Sequence, residues 1–199
     1  MPLELLDTQL AAALVDYATR RPRDPQRMIA VQNWCVRQLA ARGLKEARTE
    51  VALTGAYRTK NWDVALVAGD EVRLAISTKS IVRNLAGTVP NRLDDMLGEA
   101  ANLHRLHPRA VIGYFLVMSE QEMSAGARDS ATWFERCGKR IALAASRNSP
   151  AGPAEQWEGA CALRAPLGAT AAAAAERHVD LCSVSGFFDL LAARVSERF

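Results

Sequence analysis

Two short stretches of this chain hold the residues whose types and spacing best suit chemistry. The first is Lys60-Asn61-Trp62-Asp63-Val64-Ala65-Leu66-Val67; the second, after a turn, is Leu74-Ala75-Ile76-Ser77-Thr78-Lys79. Side chains alternate across a strand, so Ser77 and Lys79, one residue apart, share a face. An aspartate on one strand, with a polar side chain and a lysine on the next, suits phosphodiester hydrolysis. That reaction wants a metal ion to polarise the phosphate and acidify an attacking water. It also wants a cation near the nucleophile and the developing charge.

The elements that must position these groups follow from periodicity. Leu6, Leu10, Ala13, Leu14 and Tyr17 predict a helix over 3–20, ended by Arg21-Pro22-Arg23-Asp24-Pro25. A second is expected over 26–42, with Met28, Val31, Cys35, Val36 and Leu39 on one side and Gly43 as its stop. Three strand-like segments follow, over 49–58, 62–68 and 72–79; Gly69-Asp70 joins the last two in a tight turn. In the third, Val72, Leu74, Ile76 and Thr78 alternate with Arg73, Ala75, Ser77 and Lys79. Residues 80–90 read as a loop. A helix over 91–107 carries the apolar stripe Leu93, Met96, Leu97, Ala100, Leu103 and His104, and the apolar run 111–118 reads as a buried central strand. A helix over 127–146 and a loop over 147–160 come next. A strand at 157–164, helix-prone alanines at 171–175 and an amphipathic helix over 184–199 complete the expectation. This order predicts an α/β sandwich with a mixed sheet. It reads as one domain over 1–199: a helical N-terminal region (1–43), a core (44–146) and a helical C-terminal region (147–199).

An aspartate opening one strand, followed on the next by [D/E/S]-x-K and then a helix, resembles the core of the PD-(D/E)xK nuclease superfamily. Within it, KNWDVALVAGDEVRLAISTKS is similar to the strand pair of XhoI-like type II restriction endonucleases. NRLDDMLGEAANLHRLHPRAVIGYFLV is similar to that group's helix and central strand. The likeness spans residues 57–118. It implies an α/β fold with a restriction-endonuclease-like core, a central mixed β-sheet flanked by helices. It further implies a Mg²⁺-dependent endonuclease, with Mn²⁺ as a substitute ion, that hydrolyses DNA in restriction or in defence against invading DNA.

Two residues depart from the family pattern. Trp62 stands where a proline is usual, and Ser77 stands where an acid is expected. SgrAI-like members of the superfamily also carry serine there and draw the missing carboxylate from the next helix. Here that helix offers Glu99, with Asp95 one turn earlier as the fallback; Glu50, on the first strand, is a further acid beside the metal. The resemblance thus implies Asp63, Ser77, Lys79 and Glu99 as the catalytic set. Asp63, Glu99 and the carbonyl of Thr78 would bind Mg²⁺, and Lys79 would position or activate water.

The remaining features narrow the class. Twenty-five basic against 22 acidic residues leave a net charge of +3, too little to drive nucleic-acid binding in bulk. Arginines do cluster: Arg20, Arg21, Arg23 and Arg27 early, then Arg83, Arg92, Arg105 and Arg109 after the candidate site. Cys35, Cys137, Cys161 and Cys182 form no CxxC pair, which predicts a reducing, cytoplasmic setting. Neither a signal peptide nor a membrane span is expected. His104 and His107 read as packed, and His178 as isolated. Trp34 and Tyr57 suit core packing better than base stacking. Phe187, Phe188, Leu190 and Leu191 suit either the chain's own core or a homodimer interface, which cutting both strands of double-stranded DNA would favour. Two other functions remain open: a non-catalytic DNA-binding or assembly module, and an effector that cuts only when a partner protein activates it.

Overall fold

Along 74–79, Leu74, Ile76 and Thr78 alternate with Ala75, Ser77 and Lys79. In the computed structural model this segment lies inside a six-stranded sheet. The structure describes residues 3–20, 24–81, 85–118, 133–164, 176–177 and 181–199. Helices α1 (Leu3–Thr19) and α2 (Ile29–Ala41), separated by a 3₁₀ turn at Pro25–Met28, precede strands β1 (Arg48–Thr54), β2 (Thr59–Ala68) and β3 (Glu71–Ile81). Helix α3 (Leu85–Leu106) leads to β4 (Val111–Met118). Helix α4 (Trp133–Ala144), β5 (Gly159–Arg164), β6 (Glu176–Arg177) and α5 (Val184–Arg198) follow.

The strands lie side by side in chain order, β1 to β6. β1, β2 and β3 form an antiparallel meander, β3–β4 and β4–β5 pair parallel, and β5–β6 is antiparallel. Parallel neighbours need a crossover, and α3 provides the one between β3 and β4. Both faces of the sheet are therefore covered. Helices α1, α2 and α5 pack over Val64, Leu74, Ile76, Phe115 and Cys161. Helices α3 and α4 pack over Trp62, Ala75, Ile112, Tyr114 and Leu116. β4, buried at every position, runs through the middle as its unbroken apolar run predicts.

Local signals end these elements where expected. Gly43 has φ +91, and backbone bonds Gly43 N→Ala40 O and Leu44 N→Leu39 O close α2 in a Schellman motif. Gly69, at φ +60, turns β2 into β3. At the opposite end of the core, Glu158 is 4 % exposed and fastens four elements together. It accepts from Ile112 N at 2.7 Å and from Arg147 and Arg198, each at 2.8 Å, with His104 Nε2 at 3.7 Å.

Several expectations are corrected. Of the loop expected over 80–90, residues 80–81 are instead the end of β3 and 85–90 the start of α3, while 82–84 lie outside the described residues. Pairing with β4 (Ser80↔Val117, Ile81↔Met118) extends the strand, and α3 runs through Pro90. The first strand ends at Thr54 rather than 58, because Gly55 begins a turn. The C-terminal region 147–199 is not helical throughout: it adds β5 and β6 to the same sheet, and the strand expected at 157–164 is found as β5. Phe187, Phe188 and Leu191 are fully buried against β4, so the chain's own core uses them. Trp34 is in the core as expected, but Tyr57 is 73 % exposed. The residues 127–132, 171–175 and His178 lie outside the described residues. No helix among the described residues is long and apolar enough to cross a membrane.

Candidate active site

The site exists because two strands part company. β2 and β3 pair as far as Val64↔Ile76; beyond that point β2 stays with β1 while β3 stays with β4. Asp63 stands at the fork. Its Oδ2 accepts from Ser77 Oγ at 2.9 Å and from the backbone N–H of Thr78 at 2.6 Å, and its Oδ1 accepts from Gln32 Nε2 of α2 at 3.1 Å. A carboxylate has replaced the neighbouring backbone as the partner of an N–H that the departing strand leaves unpaired. The N–H and C=O of one strand residue point the same way in the sheet, so the Thr78 carbonyl also faces the fork.

On the α3 side of the fork, period-two spacing puts Lys60 beside Trp62 on β2 and Lys79 beside Ser77 on β3. Both lysines meet Glu99, which is 6 % exposed. Lys79 Nζ lies 2.9 Å from Glu99 Oε1, and Lys60 Nζ lies 3.4 Å from Oε2 while sitting 4.4 Å over the Trp62 ring. Tyr114, on β4, donates to Met96 O at 2.8 Å and stands 3.5 Å from Glu99 Oε2.

Electrostatics follow from this crowding. Burial, reinforced by Lys79, lowers the Lys60 ammonium pKa below the usual lysine value, against the opposing pull of Glu99 and Asp63. Burial, together with the Glu99 charge, pushes the Tyr114 phenol well above its usual value, so it remains a proton donor. With two carboxylates and two ammonium groups, the formal charges balance. A perturbed lysine paired with a buried acid at a sheet fork makes the fork a candidate functional site.

Thus Asp63, Ser77, Thr78, Lys79 and Glu99 are brought to one fork, as the sequence suggests. Asp95 is not: it is exposed and pairs with Arg92 at 3.2 Å. Glu50, at φ +53, sits between the ladder pairs Thr49↔Val64 and Val51↔Trp62 and lines a surface depression with Glu46, Arg48 and Val67. Of the arginines, Arg27 is buried over the Tyr17 ring, Arg20 pairs with Asp16 and Asp24, and Arg109 with Glu71. Sequence reasoning missed Gln32, Lys60 and Tyr114. Lys60 carried one signal, its period-two spacing to Trp62 and its place three residues before Asp63; Gln32 and Tyr114 arrive from distant elements.

A hard dication such as Mg²⁺ takes oxygen donors. The fork offers the carboxylates of Asp63 and Glu99, the Thr78 carbonyl and the Gln32 amide oxygen. Gln32 Oε1 and Thr78 Oγ1 are both buried, and neither has a hydrogen-bond partner among the described residues. These oxygens fit such an ion by type. Among the described residues, no group of three or more His, Cys, Asp or Glu side chains is gathered to hold a metal. Comparison with models of protein families, with curated proteins and with solved structures finds no match for this chain.

Proposed function

We propose that this chain is a PD-(D/E)xK-type endonuclease that hydrolyses DNA phosphodiester bonds with Mg²⁺, or Mn²⁺ in its place, in restriction or anti-invader defence. The observation that carries the reading is the meeting of Lys79 and Glu99 at the fork where Asp63 and Ser77 face each other. The order meander, crossover helix, parallel buried strand supports it, being the order the resemblance implies.

Each side chain then has a task. Asp63, Glu99, the Thr78 carbonyl and the Gln32 amide oxygen would hold the ion, which when bound polarises the phosphate and acidifies water. Ser77 holds Asp63 in place through its hydroxyl. Attack on phosphorus builds negative charge on the non-bridging oxygens; Lys79 and Lys60 offer two ammonium groups to it when Glu99 releases them. Lys79, next to Thr78 on β3, positions the water. Cleaving both strands calls for two copies of the chain, hence a homodimer on DNA.

A second reading draws on a different aspect of the same geometry. Every carboxylate oxygen of Asp63 and Glu99 already has a partner in the chain, as in a DNA-binding or assembly module that has lost catalysis, or in an effector awaiting a partner protein. Incubation of supercoiled plasmid with the protein and Mg²⁺ or Mn²⁺ separates the two. Nuclease action predicts nicking or linearisation by wild type, at least about a hundredfold slower in Lys79→Ala and Glu99→Ala. Protein that binds the plasmid yet leaves it intact with both ions would favour the second reading. Full activity in Glu99→Ala alongside loss in Asp95→Ala or Glu50→Ala would move the second acid elsewhere.

A further inference from the structure

The turn between β1 and β2 is held more firmly than a surface turn needs. Asn102 of α3 reaches it with both ends of its side chain. Its Oδ1 accepts from Tyr57 N at 2.8 Å and Arg58 N at 3.2 Å, and its Nδ2 donates to Arg58 O at 2.9 Å. Its backbone carbonyl accepts from Ala56 N at 2.8 Å, and Gly55 N donates across the turn to Arg58 O at 3.0 Å. Gly55 lies so close that any β-carbon there would collide with Asn102. Just past the end of α3, His107 Nε2 donates to Thr54 O at 3.0 Å.

What this scaffold displays is an aromatic ring. Tyr57 is 73 % exposed, the most exposed aromatic side chain among the described residues, with the Arg105 guanidinium carbon 5.6 Å from its ring centroid. Arg58 and Arg105 are both exposed, and neither has a carboxylate partner among the described residues. The turn also adjoins the fork: Lys60 lies two residues beyond Arg58, and Asn102 lies one helical turn beyond Glu99. A solvent-facing aromatic on a braced turn, with Arg105 against its ring and Arg58 next to it in the chain, beside the proposed phosphate-handling fork, has the chemistry of a nucleobase platform.

We propose that an unstacked base of the DNA strand entering the site lies on Tyr57, with Arg58 and Arg105 on the flanking phosphates. This rests on the reading of the fork as a DNA-cleaving site and extends it to the substrate contact. Stacking on Tyr57 asks for single-stranded or locally opened DNA, and pre-ordering of the turn spares the ordering cost on binding.

The test is fluorescence anisotropy with a labelled single-stranded DNA oligonucleotide, in EDTA so that nothing is cut. Tyr57→Ala is expected to weaken binding about five- to a hundredfold, with Tyr57→Phe close to wild type because the ring survives. Arg105→Ala should also weaken binding and flatten its salt dependence. Both tyrosine variants should melt with wild type, since the side chain is mostly in water. Unchanged affinity in Tyr57→Ala, equal loss in Tyr57→Phe, or no binding by wild type overturns the proposal. Plasmid cleavage with an unaffected Tyr57→Ala removes the platform and keeps the nuclease. Tyrosine-dependent binding without cleavage removes the nuclease and keeps the platform.

Discussion

Replacing Glu99 by glutamine keeps shape and removes the charge that two lysines share. Lys79 and Lys60 have side chains 12 % and 19 % exposed, so neither can shed its charge fully into water by turning outward. Breaking a buried ion pair by deleting one partner costs about 3–5 kcal/mol. The residual exposure of both lysines places Glu99→Gln just below that range, at about 2–3 kcal/mol. Lys60→Met should behave in the opposite way. It leaves the 2.9 Å Lys79–Glu99 pair intact and removes an ammonium that burial disfavours, for a gain of up to about 1–2 kcal/mol. The sign with pH follows from the lowered Lys60 value. The folded state disfavours that proton, so the cost is present in full below the lowered folded-state pKa. It shrinks as pH rises from the lowered folded-state pKa toward the ordinary lysine range near 10.4. Urea unfolding followed by tryptophan fluorescence, at neutral and at alkaline pH, reads all of this. The double variant should recover some of the Glu99→Gln loss, since one unpaired ammonium fewer remains. The reasoning is refuted if Lys60→Met costs more than about 1 kcal/mol while Glu99→Gln costs almost nothing. On the proposed function, Lys60→Met should at the same time slow plasmid cleavage, so that stability and activity move in opposite directions.

Three further outcomes test the frame around the site. Glu158→Gln strands Arg147 and Arg198 in the interior and should cost about 3–5 kcal/mol, measured by the same unfolding assay. Burial alone would raise the Glu158 pKa, but His104, the Ile112 N–H and Arg198 outweigh it and hold it below the usual value. Its stabilisation is thus present above about pH 4.5 and lost as pH falls through the lowered value, a dependence the variant should lack. Gly113→Ala puts a methyl 2.7–2.8 Å from Leu191 and Phe187, and should cost about 1–3 kcal/mol by pushing α5 off β4. Cys137, whose thiol burial raises to about 12, should react with a disulfide reagent only upon unfolding; rapid labelling in native buffer would contradict its placement.

Much of the frame was present in the sequence by itself, because local physics suffices for it. The alternation in 72–79, the unbroken apolar run of β4, Gly43 at a helix end and Gly69 in a turn each act through neighbours in the chain. The gathering of Asp63, Ser77 and Lys79 on adjacent strands was legible for the same reason. It depends on a hairpin between neighbours in the chain, whose register its turn and a one-residue shift between Leu66 and Val67 set together. The preference for Glu99 over Asp95 was also there in the helical stripe, since one faces the sheet and the other solvent.

Tertiary structure decided the rest. Where β2 leaves β3 is a property of the whole sheet: β1 holds the far edge of β2 and β4 the far edge of β3, and no local pattern states the residue at which the two strands separate. Gln32 and Tyr114 come from 31 and 15 residues away from the side chains they serve, and only packing brings them in. Lys60 joins the site by meeting Glu99 across the α3 face, which turns an ordinary strand lysine into a crowded, partly desolvated one. Tyr57 shows the same point from the opposite direction. Its aromatic character suggests burial, but Asn102, 45 residues on, holds the turn so that the ring stands in water. Sequence patterning settles which residues can be buried; which of them meet depends on long-range contacts that the folded chain alone supplies.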